Sequence, residues 1–236
     1  MVSKRTRVLV VAAHPDDEVL GCGATLAMHV QAGDEVFVLF LSEGVSSRST
    51  PGIEHDWLPE IEAREAMAHE AARLLGYQLV KFLRYPNLRM RNMEMLDIVK
   101  QVDSVVRDIG PSVIYTHHPG DLNSDHGVAF EATLTACRPR PGLTVNSIYT
   151  FEVPSSTEWS SPLLSREFQP QYFVSTTPAF FDKKISAIKC YDHEMRCFPH
   201  PRSEIYLRAL ANIRGSSVGT ELAEGFMVVR EVRSRP

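Results

Sequence analysis

The sequence predicts an α/β protein, a Rossmann-like three-layer sandwich on a mostly parallel sheet. Three observations carry this. Short apolar runs alternate with longer amphipathic stretches, the rhythm of β-α-β units. The first run, "RVLVVAA" at 7–13, is apolar on both faces, as an interior parallel strand must be. The chain has 236 residues, 44% hydrophobic and 23% charged, enough to bury a core of ordinary size.

The elements follow in order. "GATLAMHVQAG" (23–33) reads as a helix closed by Gly33. "EVFVLFLS" (35–42) is the second strand, followed by a long polar loop from about Ser42 to Pro59 with Gly44, Pro51 and Gly52. "EIEAREAMAHEAARLLG" (60–76) is a helix stopped by Gly76, and "QLVKFLRY" (78–85) the third strand. "MLDIVKQVDSVVRDIG" (95–110) is a helix and "PSVIYTHH" (111–118) the fourth strand. The loop "PGDLNSD" leads into the helix "HGVAFEATLTAC" (126–137), and "VNSIYTFEV" (145–153) is the fifth strand. Beyond Pro154 the rhythm loosens. A strand is expected at 171–176, helices at 182–195 and 203–213, and a last strand at 224–232. With no repeat and no clear linker, 1–236 reads as a single domain: a core over about 5–153 and a C-terminal elaboration over 154–236.

Composition excludes several classes. A formal net charge of −4 gives no basic surplus for a nucleic-acid partner. No apolar run approaches the ~20 residues of a membrane helix. "MVSKRTRVLVVAA" imitates a secretory signal, but cleavage behind Ala12 or Ala13 would fall against an acidic cluster, and a first strand accounts for the same run. Cys22, Cys137, Cys190 and Cys197 form no C-x-x-C pair, so no cysteine zinc site is expected. A domain of this size needs no disulfide, and reduced thiols fit a cytoplasmic protein. The sequence leaves the oligomeric state open, a homo-oligomer included.

Open α/β sheets bind ligands beyond the carboxyl ends of their strands. His14, Asp16 and Asp17 follow the first strand, Glu43 the second, and His117, His118, Asp121, Asn123, Asp125 and His126 the fourth. Alone, "HPDD" reads as a turn in which Pro15 sets the backbone and an aspartate caps a helix. Alone, "NSDHG" reads as a capped helix start. Imidazole and carboxylate also suit zinc, and a catalytic site needs three protein ligands. Two acid-rich turns facing each other repel unless a cation lies between them. A divalent ion in that crevice is therefore the expectation.

"AHPDDEVLGCGATLA", "EAREAMAHEAARLLG" and "DLNSDH", in that order, resemble motifs of the LmbE-like family, which includes the PIG-L de-N-acetylases. The resemblance runs along most of the chain, and its first motif is the most specific. It implies a Rossmann-like layer and zinc-dependent hydrolysis of the acetamide of an N-acetylated amino sugar. Residue by residue it implies His14, Asp17 and His126 as ligands of one zinc ion, Asp16 as general base, and Arg64 facing the substrate. A metal that brings the pKa of water near ~7 lets a neighbouring carboxylate take its proton. Glu18 is assigned to the helix start, where negative charge is favoured.

One departure stands out. Asn123 occupies a place where many members of that family carry a histidine. An amide can donate to an oxyanion but cannot carry a proton. "PHPRSE" offers His200 as the replacement and Arg202 as a substrate contact; it also reads as a proline-rich turn with Ser203 as helix N-cap. Trp57 and His55 in the long loop read as a cover for a sugar or as loop packing. His117 and His118 end the strand or support the ligands.

A dinucleotide-binding module is disfavoured: "GCGATL" lacks the third glycine, and three acids would repel a pyrophosphate. An amidase acting on thiol-containing sugar conjugates, and a non-catalytic glycan-binding protein, share the same residues and are not separated by the sequence.

Overall fold

Strand β1 (Arg7–Ala12) lies inside the sheet, and its side chains are apolar at every position that faces a helix layer. Val8, Val10 and Ala12 enter one core, while Leu9, Val11 and Ala13 enter the other, the period-two alternation of a strand covered on both faces. The computed structural model describes residues 5–48, 55–161 and 167–233. The remaining elements are α1 (Asp17–Gln31), β2 (Glu35–Ser42), α2 (Leu58–Leu75), β3 (Gln78–Tyr85), α3 (Met95–Ile109), β4 (Val113–His117), α4 (Ser124–Ala136), β5 (Ser147–Phe151), β6 (Tyr172–Thr176), α5 (Pro178–Ile188), α6 (Glu204–Ser216) and β7 (Leu222–Glu231).

The seven strands run in the order β3-β2-β1-β4-β5-β7-β6. β3, β2, β1, β4 and β5 are parallel; β7 is antiparallel to both β5 and β6. The strand order reverses between β1 and β4, which opens a crevice at their carboxyl ends. One core packs α1, α2, α5 and α6 on the sheet and the other packs α3 and α4. Among the described residues no helix is long and apolar enough to cross a membrane, and all four cysteines are free.

Two helices depart from the sequence reading. α1 starts at Asp17, not near Gly23, so the acids occupy its first turn; it then kinks at Cys22 (φ −146°, ψ 20°). Gly21 is what lets it pass: a Cβ there would lie 2.2 Å from the Phe151 ring. The kink frees backbone groups that need partners. Glu224 of β7 accepts from Ala24 N–H (3.2 Å) and Thr25 N–H (2.7 Å), and Lys184 Nζ donates to Leu20 O (2.8 Å) and pairs with Glu224 at 2.6 Å. α5 starts earlier than expected, with Pro178 preset for a first helical turn, and it stops at Ile188. The following residues form turns, with His193 at φ 64°.

Candidate metal centre and its cavity

The carboxyl ends of β1 and β4 bring together the residues singled out by sequence. His14, Asp17 and His126 are all buried, and each offers one ligand atom within 4.8 Å of the others. The turn after β1 makes this convergence: His14 N–H donates to Asp17 Oδ2 (2.8 Å), and His14 Nδ1 lies 3.2 Å from the same oxygen. From the other turn, His126 Nε2 lies 3.4 Å from Asp17 Oδ2.

Each imidazole has a carboxylate behind it. His14 Nε2 lies 3.2 Å from Asp125 Oδ2, and His126 Nδ1 lies 3.0 Å from Asp121 Oδ1. Asp125 is held in turn by Leu88 N–H and Met90 N–H, and Asp121 by Ser156, Thr157 and Asn123 N–H. Burial opposes a charged imidazole, but Asp125 and Asp17 lift His14 to about 9, and Asp17 and Asp121 lift His126 to about 10. Burial likewise opposes ionised Asp17, yet His126 and the His14 hydrogen bond hold its carboxyl well below the usual range. Both His126 nitrogens are buried and complete no hydrogen bond. Two imidazoles and a carboxylate, with the unsatisfied His126 Nε2 facing Asp17, fit a divalent cation.

His117 is excluded from that set by its own chemistry. Ala13 N–H donates to its Nε2 at 2.8 Å, which uses the lone pair a metal would need. Burial holds its pKa well below the usual value, so it is a neutral ring stacked on His126 at 4.0 Å. His118 packs on Phe168. Glu43 accepts from the N–H groups of Val45, Ser46 and Asn87, tying the loops after β2 and β3 together.

Asp16 sits beside the triad in a backbone conformation with φ 128° and ψ −29°, one that residues with a Cβ rarely adopt. Its Oδ2 is 3.0 Å from Arg64 Nη2 and 3.0 Å from Arg202 Nη1. Burial pushes the Asp16 carboxyl up, the two guanidiniums pull it down, and it ends at about 6. Glu18 sits in the first turn of α1, as expected, but as a buried group. It accepts from Tyr77 OH (2.7 Å), Tyr191 OH (2.5 Å) and Asp16 N–H (3.0 Å), and burial raises it to about 7.

The triad opens into a cavity of about 200 Å³ whose walls include Asp16, Arg64, Asn123, Ser155, Glu194 and Arg202. Asn123 caps α4: its Oδ1 accepts from Asp125 N–H at 2.9 Å. Arg64, expected to face a substrate, is 6% exposed, and its Nη atoms are engaged by Asp16 and Glu194. His200 is not among the lining residues. Its Nδ1 accepts from Arg202 N–H (3.0 Å), its ring meets Trp159, and Ser203 caps α6, so the segment behaves as the turn its prolines suggest. Trp57 packs on His55 at 4.3 Å and is also absent from the walls; loop residues 49–54 lie outside the described residues. Sequence reasoning missed Glu194, which pairs with both Arg64 and Arg202. No local pattern marks it, because its partners lie far away along the chain or across a turn.

Comparison with known proteins adds four findings. Residues 9–137 match the family described as PIG-L, GlcNAc-PI de-N-acetylase. An uncharacterized deacetylase of Escherichia coli (strain K12), YaiS, is 30% identical over 192 residues, 79% of this chain and 91% of that one. A 4-oxalmesaconate hydratase of Pseudomonas putida is 28% identical over 205 residues, 80% of this chain and 74% of that one. Among solved structures, the N,N'-diacetylchitobiose deacetylase of Pyrococcus horikoshii has the same fold, with a TM-score of 0.76 at 19% identity, covering 95% of this chain and 84% of that one.

Proposed function

The chain belongs to the PIG-L family, and from that premise we propose that it removes the acetyl group from an N-acetylated amino sugar by metal-dependent hydrolysis. The observation that carries the reading is the convergence of His14, Asp17 and His126 beside Asp16 on one wall of a cavity. A relative described as a deacetylase, aligned over 91% of its own length, supports it. The N-acetylated chitobiose taken by the Pyrococcus protein supports the sugar class.

His14, Asp17 and His126 would hold the ion, and zinc suits two imidazoles and a carboxylate with an open position. When bound, such an ion polarises an amide carbonyl and acidifies water. The other steps fall to the chain. Both arginines contact Asp16 through Oδ2, so Oδ1 is the oxygen available to take the proton of the attacking water. A carboxyl at about 6 is matched to both taking and returning a proton near neutrality. Asp16 then passes that proton to the departing amine, because no histidine replaces it at Asn123. The Asn123 side-chain N–H, left free by the cap made through Oδ1, donates to the acetamide.

The test is acetate release from a panel of N-acetylated glycans, glycolipids, glycosides and nucleotide sugars, with the metal-loaded protein. Asp16→Asn should keep the metal and lose on the order of 10²-fold or more in turnover. An unsaturated polycarboxylate belongs in the panel, because one relative is a hydratase. Hydration of that compound without acetate release from any sugar would overturn the reading.

A further inference from the structure

Asp16 is held by groups that come from two distant parts of the chain. Its backbone is in a disfavoured region, where residues persist only when their surroundings over-determine them. Arg64 arrives from α2, and Arg202 arrives from the turn before α6; each contacts the same Asp16 oxygen at 3.0 Å. Two guanidiniums gathered on one oxygen repel each other. Glu194 lies between them, 7% exposed: its Oε1 accepts from Arg64 Nη1 at 2.6 Å, and its Oε2 pairs with Arg202 Nη1. Arg202 is tied a third time, Nε donating to Ser155 Oγ at 2.8 Å. The four charges balance, two positive and two negative; Arg64 bridges the two carboxylates with separate Nη atoms and Arg202 bridges them through Nη1.

We propose that Glu194 is a positioning residue for the reaction: it holds Arg64 and Arg202 together on Asp16 Oδ2 and so turns Oδ1 toward the reacting water. This rests on the deacetylase reading above. A carboxylate held by one arginine can rotate and present either oxygen. One held from two sides on a single oxygen cannot do so without breaking a contact. Glu194 forms part of the cavity wall, but both its carboxylate oxygens are engaged by the two guanidiniums, and it acts through them. The C-terminal elaboration thereby supplies two of the three parts, Glu194 and Arg202, that orient a carboxylate rooted at the end of β1.

The experiment compares wild type, Glu194→Gln, Glu194→Asp, Arg202→Gln and the double variant Glu194→Gln/Arg202→Gln, each loaded with zinc. Glu194→Gln should lower kcat on the order of 10²-fold, the cost of a misplaced reacting group, with KM changed less than about threefold. Glu194→Asp should recover part of that loss, because it restores the charge. The double variant should be no slower than Arg202→Gln, because the two act as a unit. A second readout needs no activity: in the metal-free protein, phenylglyoxal should modify Arg202 faster in Glu194→Gln than in wild type, followed by peptide mass spectrometry. Unchanged kcat, additive losses, or an unchanged modification rate would overturn the proposal. A kcat loss that tracks lost metal content or a lowered Tm would overturn it too, by making Glu194 a purely structural residue. If Glu194→Gln does not fold, Glu194→Asp carries the same readouts. Wild type that releases no acetate indicts the deacetylase reading instead, while the phenylglyoxal comparison still tests the clamp.

Discussion

Asp125 Oδ2 lies 3.2 Å from His14 Nε2 and accepts Leu88 N–H at 2.7 Å. One oxygen thus joins an imidazole at the end of β1 to the loop after β3, while its residue belongs to the first turn of α4. The loop backbone pays a conformational penalty for the contact, since Leu88 sits at φ 57°. Asp121 does the same for His126, held by Ser156 and Thr157 from the far side of the crevice.

Carboxylates placed behind imidazoles orient them and raise their basicity. Asp125→Asn and Asp121→Asn should each weaken zinc binding roughly 10- to 100-fold, whereas His14→Ala, Asp17→Ala and His126→Ala should abolish stoichiometric binding. Competition with a chelator of known affinity measures both. Full affinity in the asparagine variants would mean that the two carboxylates serve only the loops.

Metal uptake should expel protons. With His14 raised to about 9 and His126 to about 10, both rings are protonated near neutrality in the metal-free protein. Zinc must displace them, so binding at about pH 7.5 should release about two protons, and affinity should climb as the pH rises toward 9. Calorimetry in buffers of differing ionisation enthalpy counts these protons. The same shifts give the metal-free fold a contribution that is complete below pH 6.5 and lost as the pH rises through 9 to 10. Zero proton release would refute the protonated rings.

Asn123 has a structural duty as well, the helix cap that "NSDHG" suggests. As the N-cap of α4 it accepts from Asp125 N–H, so Asn123→Ala should cost about 1 kcal/mol in chemical denaturation. Asn123→Asp keeps the cap and should keep the stability. If hydrogen-bond donation to the acetamide matters, both variants should lose turnover, and the aspartate separates the two effects.

Lys184 and Glu224 form a buried pair, and Glu224 also takes the two amides released by the α1 kink. Glu224→Ala leaves a buried ammonium and two backbone donors without partners and should destabilise the fold by about 3–5 kcal/mol. Urea denaturation of the metal-free protein reads this directly. A loss under about 1 kcal/mol would show that solvent reaches the kink.

Strands were the most legible part of the sequence. β2 has the bounds its apolar run suggests, because a strand covered on both faces writes its burial locally; β3 keeps its expected bounds as a half-exposed edge strand. α1 was less legible: a helix whose first turn is acidic and whose middle is bent gives no clean period, and its repair comes from residues 184 and 224. The residues after the first and fourth strands pointed to the crevice because strand ends are set by topology. The arrangement around Asp16 was hidden for the opposite reason. Arg64 and Glu194 are 130 positions apart, and only the packing of α2 against α5 and the turns that follow it brings them into contact.

The position of Glu194 and Arg202 along the chain has a consequence for how the protein matures. A chain emerging from the ribosome presents His14, Asp17 and His126 well before residues 194–202 exist outside the exit tunnel. The first five strands, parallel and contiguous, frame the crevice, and the core on the α1 face is completed only when α5, α6 and β7 have followed. The three candidate ligands therefore leave the ribosome before the residues that complete the clamp on Asp16.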